Sequence, residues 1–151
     1  MTNSGHALNS DEFKAQQHQM WDNVAGRWQA WWPSLDRGAQ DVSDKIVELA
    51  EINPDDKVLD ISTGIGKPAV TTARRVKPNR KVVAIDISPQ MLAIAKTRAK
   101  SLGLDGIMEF RESEGEKLEL PESIARFDTI LYPLDRRSFC ITRRTGSETV
   151  V

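Results

Sequence analysis

The spacing of apolar residues changes period several times along the chain, and each change predicts an element. Phe13, Met20, Trp21, Val24 and Trp28 recur at helical intervals. Asn9 and Glu12 have the spacing of a capping box, which starts a helix near Asp11. Gly26 and Pro33 predict a bend, giving two short helices that end at Trp31-Trp32-Pro33. Between Ala39 and Ile52, the residues Val42, Ile46, Val47, Leu49 and Ala50 fit an amphipathic helix, and Asn53 to Asp56 reads as a turn. The period then shortens. Lys57 to Ile61 and Lys81 to Asp86 are apolar runs of the buried-strand type, with Ile107 to Arg111 and Phe127 to Leu131 as third and fourth strands. Pro68 is placed to open a helix that stops at Lys77-Pro78-Asn79, and Ser88-Pro89 opens another that runs to Gly103. Strands and helices alternating in this way imply right-handed crossovers and a mostly parallel α/β sheet with helices on both faces.

Composition narrows the classes. The 151 residues suffice for one domain, and a formal net charge of −1 gives no general attraction to nucleic acid or anionic membrane. Cys140 is the sole cysteine, which rules out an intramolecular disulfide and thiolate metal cages; no metal is expected. No apolar run approaches the roughly 18 residues of a membrane span, and Met1 to Ser10 is too polar for a signal peptide. The expected setting is cytoplasmic, and Met1 to Ser10 reads as a flexible tail. All four tryptophans lie between positions 21 and 32. Their primary reading is as staples that hold the N-terminal helices on the core, with a roof over a ligand site as the alternative. His6 and His18 stand outside any constellation.

The candidate chemistry gathers at the carboxyl ends of the first two strands, where open α/β sheets bind ligands. Gly64 and Gly66 allow close backbone approach and expose amide N–H groups. Asp86 follows Gly66 by twenty residues and can accept hydrogen bonds from both hydroxyls of a ribose. A nucleoside-containing cofactor follows. Gly64-Ile65-Gly66-Lys67-Pro68-Ala69 also matches a dinucleotide fingerprint, a weak signal alone. Asp60 comes before it, and an acid there repels a pyrophosphate but suits a ligand with an ammonium and a sulfonium.

The Asp60-x-x-x-Gly64-x-Gly66 segment resembles the first motif of S-adenosylmethionine-dependent methyltransferases, and Asp86-Ile87-Ser88-Pro89-x-Met91-Leu92 resembles their second. Glu109 to Glu116 is similar to their third-strand segment, and Phe127 to Leu131 to the start of their fourth strand. The nearest likeness, over about Trp21 to Leu131, is to the group with the ubiquinone and menaquinone C-methyltransferases. This resemblance implies S-adenosylmethionine as cofactor, a small-molecule acceptor and a Rossmann-like fold. It implies that Gly64 and Gly66 pass the methionine part, and that Asp60 holds its ammonium directly or through water. It places Asp86 on the ribose, Ile87 and Met91 on the adenine face, Glu114 at the adenine amino group and the Gly115 N–H at a ring nitrogen. Ser62 stands where the family often has glycine, and Glu114 is one methylene longer than the usual aspartate. Met91 also fits as plain core beside Leu92 and Ala95, and at least two of Glu112, Glu114 and Glu116 fit as a solvated edge. No catalytic residue is named.

The layout expected from these signals is a tail (1–10), an N-terminal helical cap (11–38), a Rossmann-like core (39–131) and an irregular basic segment (132–151). After Leu131 no sustained period is found, while Arg136, Arg137, Arg143 and Arg144 make the segment basic. The abrupt change at Tyr132 reads as truncation of a longer ancestor after its fourth strand, with a shifted reading frame as one route. A sheet of about four strands then leaves the fourth as an exposed edge, from which a homodimer is expected. It also removes part of the acceptor wall. A noncatalytic cofactor-binding or interaction module is therefore the alternative to an active methyltransferase, and a nicotinamide oxidoreductase is the third possibility.

Overall fold

The computed structural model describes residues 9–76, 78–79, 81–115, 127–133, 139–145 and 148–150. Helix α1 spans Ser10–Leu49. Strand β1 (Val58–Ile61), helix α2 (Ala69–Ala73), strand β2 (Val82–Asp86), helix α3 (Pro89–Ser101) and strand β3 (Met108–Glu112) follow. Strands β4 (Thr129–Pro133), β5 (Phe139–Thr145) and β6 (Glu148–Val150) complete the order. The expectations for residues 1–8 and for Glu116 lie outside the described residues.

The strands form one sheet in the order β3-β2-β1-β4-β5-β6. The first four are parallel, with Val58 opposite both Val82 and Thr129, and Val82 opposite Met108. Side chains alternate between the faces. One face carries Val58, Val82, Ala84, Met108 and Leu131, packed against Val47 of α1 and its C-cap Ala50, Ala69, Val70 and Ala73 of α2 and Ala99 of α3. The other face carries Leu59, Val83 and Ile85, with Ile61, Phe127 and Ile130 against them. The three described helices thus share one face of the mostly parallel α/β sheet. Burial of side chains such as Leu59, Ile85 and Leu131 contributes about 1.5–3 kcal/mol each.

Two sequence expectations are corrected. The N-terminal region is one helix of 40 residues with Pro33 inside it, and not two short helices followed by a third. An internal proline costs about 3 kcal/mol. Tertiary packing on both sides of it, through Ala25 and Trp32 before Pro33 and through Val47 and the C-cap Ala50 beyond, holds the helix through the break. The capping box at its start is present, with Glu12 N donating to Asn9 Oδ1 at 2.8 Å and Asn9 N donating to Glu12 Oε2 at 3.2 Å.

The segment read as irregular after Leu131 contains strands. β5 pairs antiparallel with β4, Leu131 lying opposite Ile141, and β6 pairs antiparallel with β5. Among the described residues the sheet has six strands and not about four, and β4 is not an edge. The unpaired backbone of a parallel strand is a template, and a segment five residues downstream reaches it at a far higher effective concentration than a second chain does.

Candidate functional site

Loop geometry at the end of β1 builds the site. Ser62 and Gly64 have φ of 58° and 56°, and Gly66 has 96°. Packing also favours glycine at position 66: a Cβ there would make a tight contact of 3.2 Å with the Ala95 Cβ on α3. Ser62 adopts the left-handed conformation without being glycine, at a cost of about 1–2 kcal/mol. The loop is tied down at each step. Thr63 N donates to Ile85 O at 2.9 Å, Gly66 N to Thr63 O at 2.9 Å, and the Thr63 hydroxyl to Asp60 Oδ2 at 2.7 Å.

Asp86, at the end of β2, receives the loop. Gly64 N donates to its Oδ2 at 2.7 Å and Ser88 N to its Oδ1 at 2.9 Å. Burial pushes its carboxyl above the usual carboxylate range, against these amide hydrogen bonds. Asp60 lies deeper. It is fully buried, and its Oδ1 has no hydrogen-bond partner among the described residues. Loss of water raises its pKa to about 7, opposed chiefly by the Thr63 hydroxyl.

A cleft of about 490 Å³ opens between this loop and α1. Ser62, Gly64, Asp86, Ile87 and Met91, all singled out from the sequence, line it together. Gly66 sets the loop's path behind it. Thr63, Ile65 and Lys67 line it as well, and Trp21, Trp28, Trp32 and Ala39 come from α1. Trp21 and Trp32 also pack with Ala25, Ile65 and Met91, so the two readings of the tryptophans are compatible. They fasten α1 to the core and cover the cleft. Met91 likewise serves core and cleft at once. Trp31 faces outward, 69% exposed.

Trp32 is held by cations that sequence reasoning did not single out. The Arg98 guanidinium lies 4.2 Å and the Lys67 ammonium 5.0 Å from its ring centroid. Lys67 also pairs with Asp36 at 2.9 Å and donates to Gln40 Oε1 at 2.8 Å, while Arg98 donates to Ile65 O at 2.7 Å. The hydrogen bond from Lys67 holds the Asp36 carboxyl below its usual range. These contacts join residues from α1, the loop and α3. Only coordinates bring them together, since each looks like a surface charge in the sequence.

A second hollow lies beyond Ile87, which lines both. Its walls are Asp11, Lys14, Ala15 and His18 from α1 and Glu112, Ser113 and Glu114 after β2's neighbour β3. Glu114 Oε2 is 3.1 Å from Lys14 Nζ. His18 stands 3.7 Å from both Asp22 and Glu112. Gly115 packs under the rim, where a Cβ would come within 2.9 Å of Ile61 Cγ2. Glu114 and Gly115 are thus near the main cleft, joined to it through Ile87, but do not line it. No cluster of potential metal ligands is found among the described residues.

A family profile described as a methyltransferase domain matches residues 52–136. The ubiquinone/menaquinone biosynthesis C-methyltransferase UbiE of Ectopseudomonas oleovorans is 34% identical over 84 residues, covering 56% of this chain and 48% of that protein. The same-named protein of Pseudomonas putida is also 34% identical over 84 residues, covering 56% of this chain and 32% of its own length. The chain therefore spans half or less of the curated relatives it matches. An RNA methyltransferase from Salinibacter ruber, solved with S-adenosyl-L-homocysteine, superposes with a TM-score of 0.52 at 26% identity, over 59% of this chain and 54% of that one. Magnesium protoporphyrin IX methyltransferase from Synechocystis superposes with a TM-score of 0.61 at 20% identity, over 78% and 56% of the two chains, and shares the fold. The matched segment runs from the end of α1 through β4 and contains the whole glycine loop and Asp86, so the chain belongs to the methyltransferase-domain family.

Proposed function

We propose that the chain is the cofactor-binding domain of an S-adenosylmethionine-dependent methyltransferase acting on a small molecule. The observation that carries this reading is the Asp86 carboxylate, fixed by the glycine-loop amide of Gly64 at the edge of a tryptophan-roofed cleft. The residues fit such a ligand: the loop turns through positive φ at Gly64 and Gly66, so its backbone is open to close approach, and Asp60 beneath it keeps a buried oxygen without a partner among the described residues. In this reading Asp86 accepts from the ribose hydroxyls, and Gly64 and Gly66 let the backbone pass the methionine part, with Ser62 keeping the turn open. Asp60, having no exposed surface, holds the ammonium through the loop or a water and not by direct contact. Ile87 and Met91 pack on the adenine. Glu114, whose Oε2 pairs with Lys14, accepts from the adenine amino group, with the Gly115 N–H beside it.

When bound, this cofactor supplies a methyl group made electrophilic by its sulfonium. The protein's part is positioning. A nucleophile must be held about 3 Å from the methyl carbon in a site that excludes water, and Trp21, Trp28 and Trp32 supply one apolar wall of such a site. Among the described residues, the cleft's ionisable side chains are Asp86 and Lys67, and both are engaged within the fold. No catalytic base is assigned, and this favours a second reading, a noncatalytic S-adenosylmethionine-binding or interaction module. Turnover with any acceptor separates the two. The small-molecule class of acceptor rests on the relatives named for quinone C-methylation.

Residues 11–38 then serve as the cap and 39–131 as the cofactor-binding core. A cytoplasmic setting is proposed; among the described residues no helix is long and apolar enough to cross a membrane. A homodimer formed along a sheet edge would use β3 or β6, the outermost strands, since β5 occupies the edge of β4.

Calorimetric titration of the purified chain tests the cofactor. S-adenosylmethionine is expected to bind saturably and NAD not to bind, and Asp86→Ala should weaken binding by about 10- to 100-fold, the range for losing charge-assisted hydrogen bonds. A thermal melt of Asp86→Ala, which loses the acceptors for Gly64 N and Ser88 N, separates loss of the ligand contact from loss of the loop. A folded wild-type chain that gives no heat overturns the cofactor reading.

A further inference from the structure

Helix α1 is apolar on two sides. One side, with Ala25, Val47 and Ala50, is buried in the clusters already described. The other carries Phe13, Met20, Trp31, Val42 and Leu49, which are 53, 43, 69, 60 and 62% exposed. None of these five belongs to a buried cluster among the described residues. Their intervals are 7, 11, 11 and 7 residues. Seven and eleven residues are close to two and three turns of an α-helix, so the five fall within about 20° of a single line.

That line has a symmetry that a surface for an unrelated partner does not need. Its spacing reads the same in both directions from Trp31. A second α1 laid antiparallel, with a two-fold axis at Trp31, puts Trp31 against Trp31, Met20 against Val42 and Phe13 against Leu49. An isologous interface requires this self-complementarity. The five side chains present on the order of 500 Å² of apolar surface per copy, most of the roughly 800 Å² that each partner contributes to a standard interface.

We propose that this outer line of α1 is a self-pairing surface, on which a second copy of the chain docks antiparallel about a two-fold axis at Trp31. The pairing reaches the cleft without depending on its ligand. Trp28 lines the cleft, is 40% exposed and lies one turn before Trp31, so the second copy covers the outer side of the cleft's roof. This contact is separate from any sheet-edge dimer.

Sedimentation of the full chain, with and without Trp31→Glu, tests the surface. The wild-type chain should sediment as a dimer, and the variant, at an exposed position, should keep its helical circular dichroism while its dimer dissociation constant rises at least about tenfold. Register is tested in a Cys140→Ser background. Met20→Cys mixed with Val42→Cys should give a mixed disulfide on oxidation, each variant alone should give little, and Trp31→Cys should cross-link to itself. A folded chain that stays monomeric to high concentration overturns the proposal. So does a dimer in which the mixed disulfide fails to form, which would put the contact at β3, β6 or another surface. Should Trp31→Glu unfold, the disulfide pattern decides alone.

Discussion

Asp60 shows how one atom's surroundings change a residue's chemistry. In the sequence it is an acid at the end of a strand. In the fold it has no exposed surface, one oxygen bonded to Thr63 and the other with no partner among the described residues, and burial raises its pKa to about 7. The unfolded chain releases this proton near pH 4, while the folded chain keeps it to about pH 7, so the folded state binds more protons across that window. Its contribution to stability is therefore full below pH 4, falls as pH rises towards 7, and then levels off. Asp60→Asn should remove this slope. Urea unfolding at pH 4.5 and 7.5 should show the wild-type chain losing about 3 kcal/mol more than the variant, at about 1.4 kcal/mol per pKa unit. Equal losses in both would mean that Asp60 is ionised in the native protein. The identity and spacing of Asp60, Gly64, Gly66 and Asp86 were legible because strand ends and loop glycines leave a linear signal. The pairing of Lys67 and Arg98 on Trp32 was not, since these residues come from three separated segments.

The helices differ in how much of them is local. α3 was readable from Ser88-Pro89, and its cap is realised: Met91 N donates to Ser88 Oγ at 3.1 Å, and the Ser88 hydroxyl donates to Asp22 of α1. The second bond makes the cap a joint between helices. Ser88→Ala should cost about 1–2 kcal/mol, at the upper end for an N-cap because a part-buried carboxylate loses its donor as well. Thermal denaturation would show this, and an unchanged midpoint would mean that α1 does not depend on the joint. α1 itself was not readable as one helix. Gly26 and Pro33 are local breakers, and the packing that overrides them comes from residues far along the chain.

The parallel half of the sheet followed from alternating apolar runs, but its completion did not. Phe139 to Thr145 has basic residues and no clear period, and it is a strand because β4 offers unpaired backbone next to it. Deleting the chain after Pro133 should expose β4 as an edge, and the shortened protein should scatter light and form assemblies larger than the dimer expected of the full chain. A shortened chain that remained as dispersed as the full one would show that β5 is not what protects the edge. By itself, the sequence determined the periodic elements, the strand-end acid and the glycine loop, because these depend on neighbours a few residues away. Only the tertiary structure decided the unbroken α1, the tryptophan roof, the burial of Asp60 and the pairing of β5, because each depends on what distant segments bring to the same place.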